Sequence, residues 1–506
     1  MTAVRTAAET IAGAYETIGA ALELGSVVID GSVFSDARVR VPLATLNRHG
    51  LVTGATGTGK TKTLQQMAEQ LSDSGVPVVL VDQKGDLQGL SSPGADSPAA
   101  RRRAVDTGME WDPRAYPVEY YSAGTDGMGQ PVQATVESFG PVLLARVLGL
   151  NHTQESCLTL VFRWAQDNRM PLSTLADLAD NLTFLRRNKE LLLNIGGLSG
   201  ASVDVMLRAI HNFDFRGGGT LFGDEVFDHL DLMQVDDEGR GVVSIFEVGD
   251  RGGSIQRTSF PVVLVWLLRS FMSLPEIGDV DKPKLVFIID EAHLLFQKAT
   301  AEFMGLVEDV VRLIRSKGGA LIFSSQMSDD IPDPIRAQLG MRVQHGVRAS
   351  TPKEVAALKR TAETFPRSSV YDIPQSMMAL PTGEALVTVL SETGMPTAVA
   401  WVRLRPPRSL MGAIGDDAVR AHVHAADLKR RRAPEPVARS HEFHGGSYWG
   451  RSATRARPEV DEDAPVVSLF DTSRLEGFLA GSAAQLPGRA VMRGLGLRST
   501  RRQRRR

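Results

Sequence analysis

Cysteine is almost absent: Cys157 stands alone in 506 residues. One thiol excludes an intramolecular disulfide and any zinc site built from cysteines, and it favours a reducing cytoplasm over secretion. Long apolar runs are also missing. The most apolar stretch, Phe260–Leu268, meets Arg269 well short of the ~20 residues that span a bilayer, so no membrane segment is expected. Near the N-terminus, Glu9 and Glu16 interrupt what a signal peptide would keep apolar, while Ile11, Tyr15, Ile18 and Leu22 recur at helical spacing. An amphipathic helix is expected there. No single sign of charge dominates either: the formal net charge is -2, with 42% hydrophobic and 23% charged residues, the balance of an ordinary soluble protein. The charge is unevenly spread, however. Lys429–Arg506 holds 17 basic and 8 acidic residues, so the tail is basic and the body acidic.

The chain exceeds the size at which one core stops growing, which implies one large α/β unit with insertions, or two domains. Four short apolar runs, Asn47–Thr53, Val76–Val81, Leu285–Ile289 and Ala320–Ser324, are each followed by polar or glycine residues and a helical pattern. Strands alternating with helices predict a parallel sheet covered on both faces, with ligands at the strands' carboxyl ends. Gly241–Gly249 reads as a further strand of that sheet, and Arg342–Arg348 and a hairpin turning at Glu392-Thr393-Gly394 as later additions. Between Glu137 and Phe215 the period becomes helical, marked by Leu158, Val161, Phe162 and Ala165. The expected organisation is an N-terminal helix and lead-in strand (1–46), a first part of the α/β core (47–136), a helical insertion (137–235), a second part of the core (236–410) and a basic, largely disordered tail (411–506). Val466–Leu497 reads as a short helix within that tail.

The stretch LVTGATGTGKTKTL holds eight residues, Gly54, Ala55, Thr56, Gly57, Thr58, Gly59, Lys60 and Thr61, that fit G-x-x-x-x-G-K-[ST] between a strand and a helix. Backbone N–H groups of such a turn, extended by Lys62 at the helix start, form a nest for phosphate oxygens. Lys60 suits the β and γ phosphates of ATP, and the Thr61 hydroxyl suits Mg²⁺. In KLVFIIDEAH, Asp290 and Glu291 follow a strand directly. Asp290 suits the magnesium site and Glu291 suits a general base acting on water, although acids also favour the start of a helix for its dipole alone. Gln326, after the next strand, reads either as a loop residue or as a group that orients the water. Asp82, Lys84 and Asp86 in VDQKGDLQGL face the same edge, or simply make a turn.

Phosphoryl transfer also gains from a cation supplied by a neighbouring subunit. Arg312 and Arg315 share a helical face near a helix end, and Arg342 and Arg348 share a strand face with Gln344; Arg348 and Arg315 rank first among these candidates. His345 falls on the apolar face of its strand and reads as a core histidine. Lys429–Arg432 and the terminal RRQRRR fit either nucleic-acid phosphates or a solvated tail. Without a zinc finger, helix-turn-helix or aromatic platform, sequence-specific base reading is not expected.

Together, LVTGATGTGKTKTLQ, VDQKGDLQGL, NHTQESCLTLVFRWAQDN, FIIDEAHLLF and IPDPIRAQLGMRVQHGVRASTPKE resemble the HerA/FtsK superfamily of P-loop ATPases, and more narrowly its HerA-like helicases, over roughly residues 24 to 405. The resemblance implies a RecA-like core, rings of six, and ATP hydrolysis that drives nucleic acid or protein through a pore. By matching position, Lys60, Thr61, Asp290, Glu291 and Gln326 take the roles given above. HerA proper begins with a β-barrel, whereas about fifty residues precede the phosphate loop here. The leading expectation is a cytoplasmic DNA translocase or helicase. Its alternatives are a nucleotide-dependent switch or scaffold whose helical insertion recruits a protein partner, and a polypeptide-translocating ATPase.

Overall fold

The short apolar runs become strands because both of their faces are buried. In Leu285–Ile289, Leu285, Phe287 and Ile289 enter one core while Val286 and Ile288 enter the other. Leu321 and Phe323 are likewise set against Ala320 and Ile322 in the neighbouring strand. This period of two with apolar residues on each side is the pattern of a sheet sandwiched between helices.

The structure, a computed structural model, describes residues 2–432 apart from 126, 189, 192–195, 197, 225, 248–252, 279, 298 and 392. Twelve strands form one sheet: β1 (Ala21–Ile29), β2 (Ser32–Pro42), β3 (Gly50–Thr53), β4 (Val78–Asp82), β5 (Val118–Ala123), β6 (Gln130–Val132), β7 (Val243–Glu247), β8 (Leu285–Ile289), β9 (Gly319–Ser325), β10 (Met341–His345), β11 (Glu384–Thr388) and β12 (Ala400–Leu404). Their spatial order is β2-β1-β12-β11-β10-β3-β9-β8-β4-β7-β5-β6. From β10 to β6 every neighbouring pair is parallel. The remaining strands, β11, β12, β1 and β2, extend the sheet antiparallel. The expected mainly parallel α/β core is therefore what the chain forms.

Helices cover both faces. The helix Lys60–Asp73 packs Leu64, Met67, Ala68 and Leu71 into one core, and the helix Ala301–Leu313 packs Phe303, Val307, Val310 and Val311 into the other. The apolar run Phe260–Leu268 lies in the helix Gly253–Ser270, apolar on every side and correspondingly buried. Against it sits the helical insertion, with helices Pro141–Leu148, His152–Asp167, Leu175–Arg187 and Gly200–Phe215. Asn151 Oδ1 caps the second of these by accepting the Gln154 N–H, and Gln154 Oε1 accepts the Asn151 N–H in return. Among the described residues, no helix is long and apolar enough to cross a membrane.

Three expectations are corrected. The N-terminal helix spans Thr2–Gly13 and stops there, so Ile18 is fully exposed and Leu22 belongs to β1. Ile11, Tyr15 and Leu22 are buried, the last two beyond the end of the helix, with Tyr15 Oη donating to the Val387 and Ala398 carbonyls at 2.7 and 2.6 Å. The single lead-in strand is instead a hairpin, β1–β2, whose edge pairs with β12. Beyond Pro406 the chain stays ordered for some distance. Residues 408–410 lie along the helix Lys60–Asp73, and Asp416–Arg432 is a helix, with Val419 buried and His422 edge-on to Tyr120 at 5.8 Å. Composition hid this segment because its apolar contacts are few, Ile414, Val419 and Val423, and backbone bonds and buried polar groups hold the rest. The expectations for the rest of the tail, including Val466–Leu497 and RRQRRR, fall outside the described residues.

Candidate active site

The phosphate loop leaves β3 and enters the helix Lys60–Asp73. Gly54 is held at φ 150°, and a Cβ there would lie 2.5 Å from the His345 Cβ, so the loop approaches β10 as closely as glycine permits. His345 is fully buried, with Nε2 3.0 Å from Thr63 Oγ1 and Nδ1 without a well-placed partner. Burial, reinforced by the nearby Lys60 ammonium, pushes its pKa down to about 4 and keeps the ring neutral. The expected core histidine is thus the floor beneath the loop. The Ala55 N–H donates to the Gly346 carbonyl at 2.9 Å, and the Thr58 N–H to the Ala55 carbonyl at 3.3 Å. Those amides are engaged. Thr56, Gly57 and Lys62 are exposed, Gly59 precedes the first helical residue, and Thr61 is half-buried with no hydrogen-bond partner for its hydroxyl among the described residues.

Lys60 is buried, its Nζ donating to the carbonyls of Gly54 at 2.7 Å and Ala55 at 3.3 Å. Burial lowers its pKa, and the carboxylates of Glu291 and Asp290 act against that shift. Asp290 follows β8. Its Oδ1 accepts from Ser324 Oγ at 2.8 Å and from the Glu291 N–H at 3.0 Å, and burial pushes its pKa above the ordinary carboxylate value. Glu291 has left-handed backbone, φ 49°, which costs a non-glycine residue roughly 1–3 kcal/mol. Its Oε1 is 2.9 Å from Lys84 Nζ.

The order β10-β3-β9-β8-β4 sets the phosphate-loop strand and the acid strand on either side of β9. Gln326, the first residue past β9, is exposed at the carboxyl edge between them. Arg348 lies three residues beyond the end of β10, exposed at that same edge, and not on the strand face expected for it. Arg315 sits in the turn Ile314–Lys317 just before β9, at the strands' amino ends, so within one chain it is on the edge opposite the phosphate loop. Arg342 donates to the Thr364 carbonyl, and Arg312 pairs with Asp309.

The family described as Helicase HerA-like C-terminal is matched over residues 30–444, most of the chain. The chain belongs to this HerA-like family. Among curated proteins, none matches it. Solved structures share the fold. The plasmid coupling protein TrwB in complex with a non-hydrolysable ATP analogue superposes with a TM-score of 0.55 at 17% identity, covering 80% of this chain and 94% of that one. TrwB with ADP and Mg2+ gives 0.51 at 17%, covering 78% and 98%. The unbound bacterial conjugative coupling protein TrwBdeltaN70 gives 0.52 at 18%, covering 80% and 94%.

Several residues around the candidate site escaped the sequence. The loop Thr382-Gly383 clamps the phosphate loop, the Gly383 N–H donating to the Thr58 carbonyl at 2.9 Å, and Arg103 Nη1 holds the Gly383 carbonyl at 2.8 Å. Glu69, on the phosphate-loop helix, is buried and accepts the N–H groups of Arg408 and Ser409 and the Ser409 hydroxyl. Gln65 beside it donates to Ser409 Oγ at 2.7 Å and the Leu410 carbonyl at 3.0 Å. These partners are hundreds of residues apart, so no local spacing could reveal them. Asp82, in contrast, carried a local signal, a carboxylate two to five residues before N–H groups of a glycine turn. Its oxygens accept from Lys84 N at 3.1 Å, Gly85 N at 2.9 Å and Leu87 N at 2.7 Å.

Proposed function

We propose that the chain is an ATP-hydrolysing motor of the HerA/FtsK type that translocates on DNA without reading its sequence, as a ring of six copies. The observation that carries this reading is the convergence of the phosphate loop, Asp290 and Glu291 at one edge of the sheet in a HerA-like chain. The groups at that edge fit a magnesium triphosphate. Among the described residues, the Lys60 ammonium donates only to carbonyls of its own loop, open space surrounds the position a Gly57 side chain would take, and Glu291 Oε2 is buried without a hydrogen-bond partner. TrwB, which shares the fold, is described with ADP and Mg2+.

In this reading Lys60 exchanges its carbonyl partners for β and γ phosphate oxygens, while N–H groups of Gly57, Gly59, Lys60, Thr61 and Lys62 receive the others. Thr61 and Asp290 hold Mg²⁺, which when bound neutralises phosphate charge. Glu291 takes the proton of the attacking water and Gln326 orients that water. An arginine from a neighbouring copy meets the charge that develops on the phosphoryl group. Arg348 is the better candidate, because it already stands at the phosphate edge; Arg315 would need a ring contact that brings one chain's amino edge to the next chain's carboxyl edge. The basic C-terminal segment grips DNA phosphates, and the helical insertion is the surface left for a protein partner.

Phosphate release with and without DNA, at low and moderate salt, tests the motor. Lys60→Ala is expected to abolish nucleotide binding, and Glu291→Gln to keep binding while turnover falls at least ~100-fold, the usual worth of a general base. Normal turnover by Glu291→Gln would remove the base assignment, and release indifferent to DNA would remove the DNA motor. Sizing with and without a non-hydrolysable ATP analogue tests the ring.

A further inference from the structure

The general-base candidate is already engaged by a cation that the proposed mechanism leaves idle. Lys84 stands at the end of β4 on a turn fixed by the three backbone bonds to Asp82, with Gly85 at φ 74°. From this rigid base its side chain, nearly half exposed, lays Nζ on Glu291 Oε1. The carboxylate itself is almost wholly buried, and its other oxygen faces His293 Nδ1 at 3.4 Å without a hydrogen bond. Lys84 also feels Asp290 and Asp86, and it repels Lys60. Two ammonium groups, one from the phosphate loop and one from the β4 turn, therefore act on the same pair of acids. A terminal phosphate carries more charge than one carboxylate and has three acceptor oxygens for such a pair.

We propose that Lys84 is a positioning residue that recognises the terminal phosphate: it holds Glu291 when no triphosphate is bound, and it transfers to the γ phosphate when one is, freeing Glu291 for water. This rests on the ATPase reading above. The exchange costs no backbone motion, since the turn that carries Lys84 is held through main-chain amides. It also explains why a base poised for hydrolysis keeps the Lys84 ammonium on one of its oxygens.

The test is the affinity for ADP against that for a non-hydrolysable ATP analogue, measured by calorimetry on the full chain, Lys84→Gln, Lys84→Arg and Glu291→Gln. The substitutions at Lys84 leave the bonds to Asp82 intact, so the turn survives. Lys84→Gln is expected to cut the preference for the analogue over ADP about tenfold or more, the worth of one charge-assisted hydrogen bond, with ADP affinity changed less than threefold. Lys84→Arg is expected to restore part of the preference. Glu291→Gln, which removes the competitor for the ammonium, is expected to tighten the analogue, and the gain should vanish when Lys84→Gln is added. Equal weakening of both nucleotides by Lys84→Gln, or no change in either, overturns the proposal while leaving the ATPase intact. A wild-type chain that binds neither nucleotide overturns both.

Discussion

Removing the Glu69 carboxylate should loosen one defined segment. Glu69 is 1% exposed, and it accepts four hydrogen bonds from three donors: Arg408 N at 3.0 and 2.9 Å, Ser409 N at 2.9 Å and Ser409 Oγ at 2.5 Å. Glu69→Ala orphans those donors in a buried place, at roughly 1–3 kcal/mol each. One effect reduces the sum: burial raises the Glu69 pKa, so its charge is held at a cost that the variant no longer bears. A net loss of about 2–4 kcal/mol in the local opening of residues 405–412 follows, which accelerates exchange of the Arg408 and Ser409 amides by roughly 30- to 1,000-fold. Glu69→Gln keeps one acceptor oxygen but points an amide N–H₂ at a donor, and about 1 kcal/mol is expected. The pH dependence has a definite sign. A raised carboxyl pKa means the folded state holds the proton to higher pH than the unfolded chain, so wild type loses stability relative to Glu69→Gln as pH rises through that interval. Hydrogen exchange read by mass spectrometry decides the matter: Glu69→Ala exchange within threefold of wild type would show that the carboxylate does not hold the segment.

Two further substitutions compare a phosphate-loop position that is both crowded and at positive φ with one that is only at positive φ. Gly54→Ala, whose Cβ would meet His345, is expected to weaken nucleotide binding about tenfold or more, whereas Gly57→Ala meets nothing within 4 Å and bears only the strain of φ 80°, roughly 1 kcal/mol. Equal losses in a nucleotide titration would contradict this. His49 is buried, its Nε2 2.8 Å from the Val311 carbonyl and its Nδ1 accepting the Leu321 N–H, and burial pushes its pKa to about 4. Its contribution is complete above the unfolded value and is lost as pH falls toward 4, so lowering pH from 7 to 5 should cost ~2 kcal/mol that His49→Gln does not lose. Urea midpoints at the two pH values, equal in their decline for both proteins, would contradict it.

What the sequence revealed depended on how local the cause was. β8 matches the expected Leu285–Ile289 because each residue's burial on one face or the other is written in the run itself. The β1–β2 hairpin was hidden by register shifts between Glu23 and Gly25 and between Ser26 and Val27, which break the alternation. Its turn was legible: Asp30-Gly31, with φ of 51° and 76°, is a strong hairpin dipeptide. The phosphate loop and the two acids were visible as contiguous motifs, whereas the bond between Lys84 and Glu291 crosses 207 residues and depends on β4 lying beside β8. Arg315 shows the reverse failure. A helical spacing gave it a partner face but not the end of the sheet on which it would fall.

β3 lies between β9 and β10, with Gly50 opposite Ile322 on one side and Met341 on the other. During synthesis the strand that launches the phosphate loop emerges early, yet both of its neighbours follow about 270–290 residues later, on the order of 15–60 s at ordinary ribosome speed. A nascent chain halted before Gly319 therefore carries the nucleotide motif on a strand with neither of its sheet neighbours.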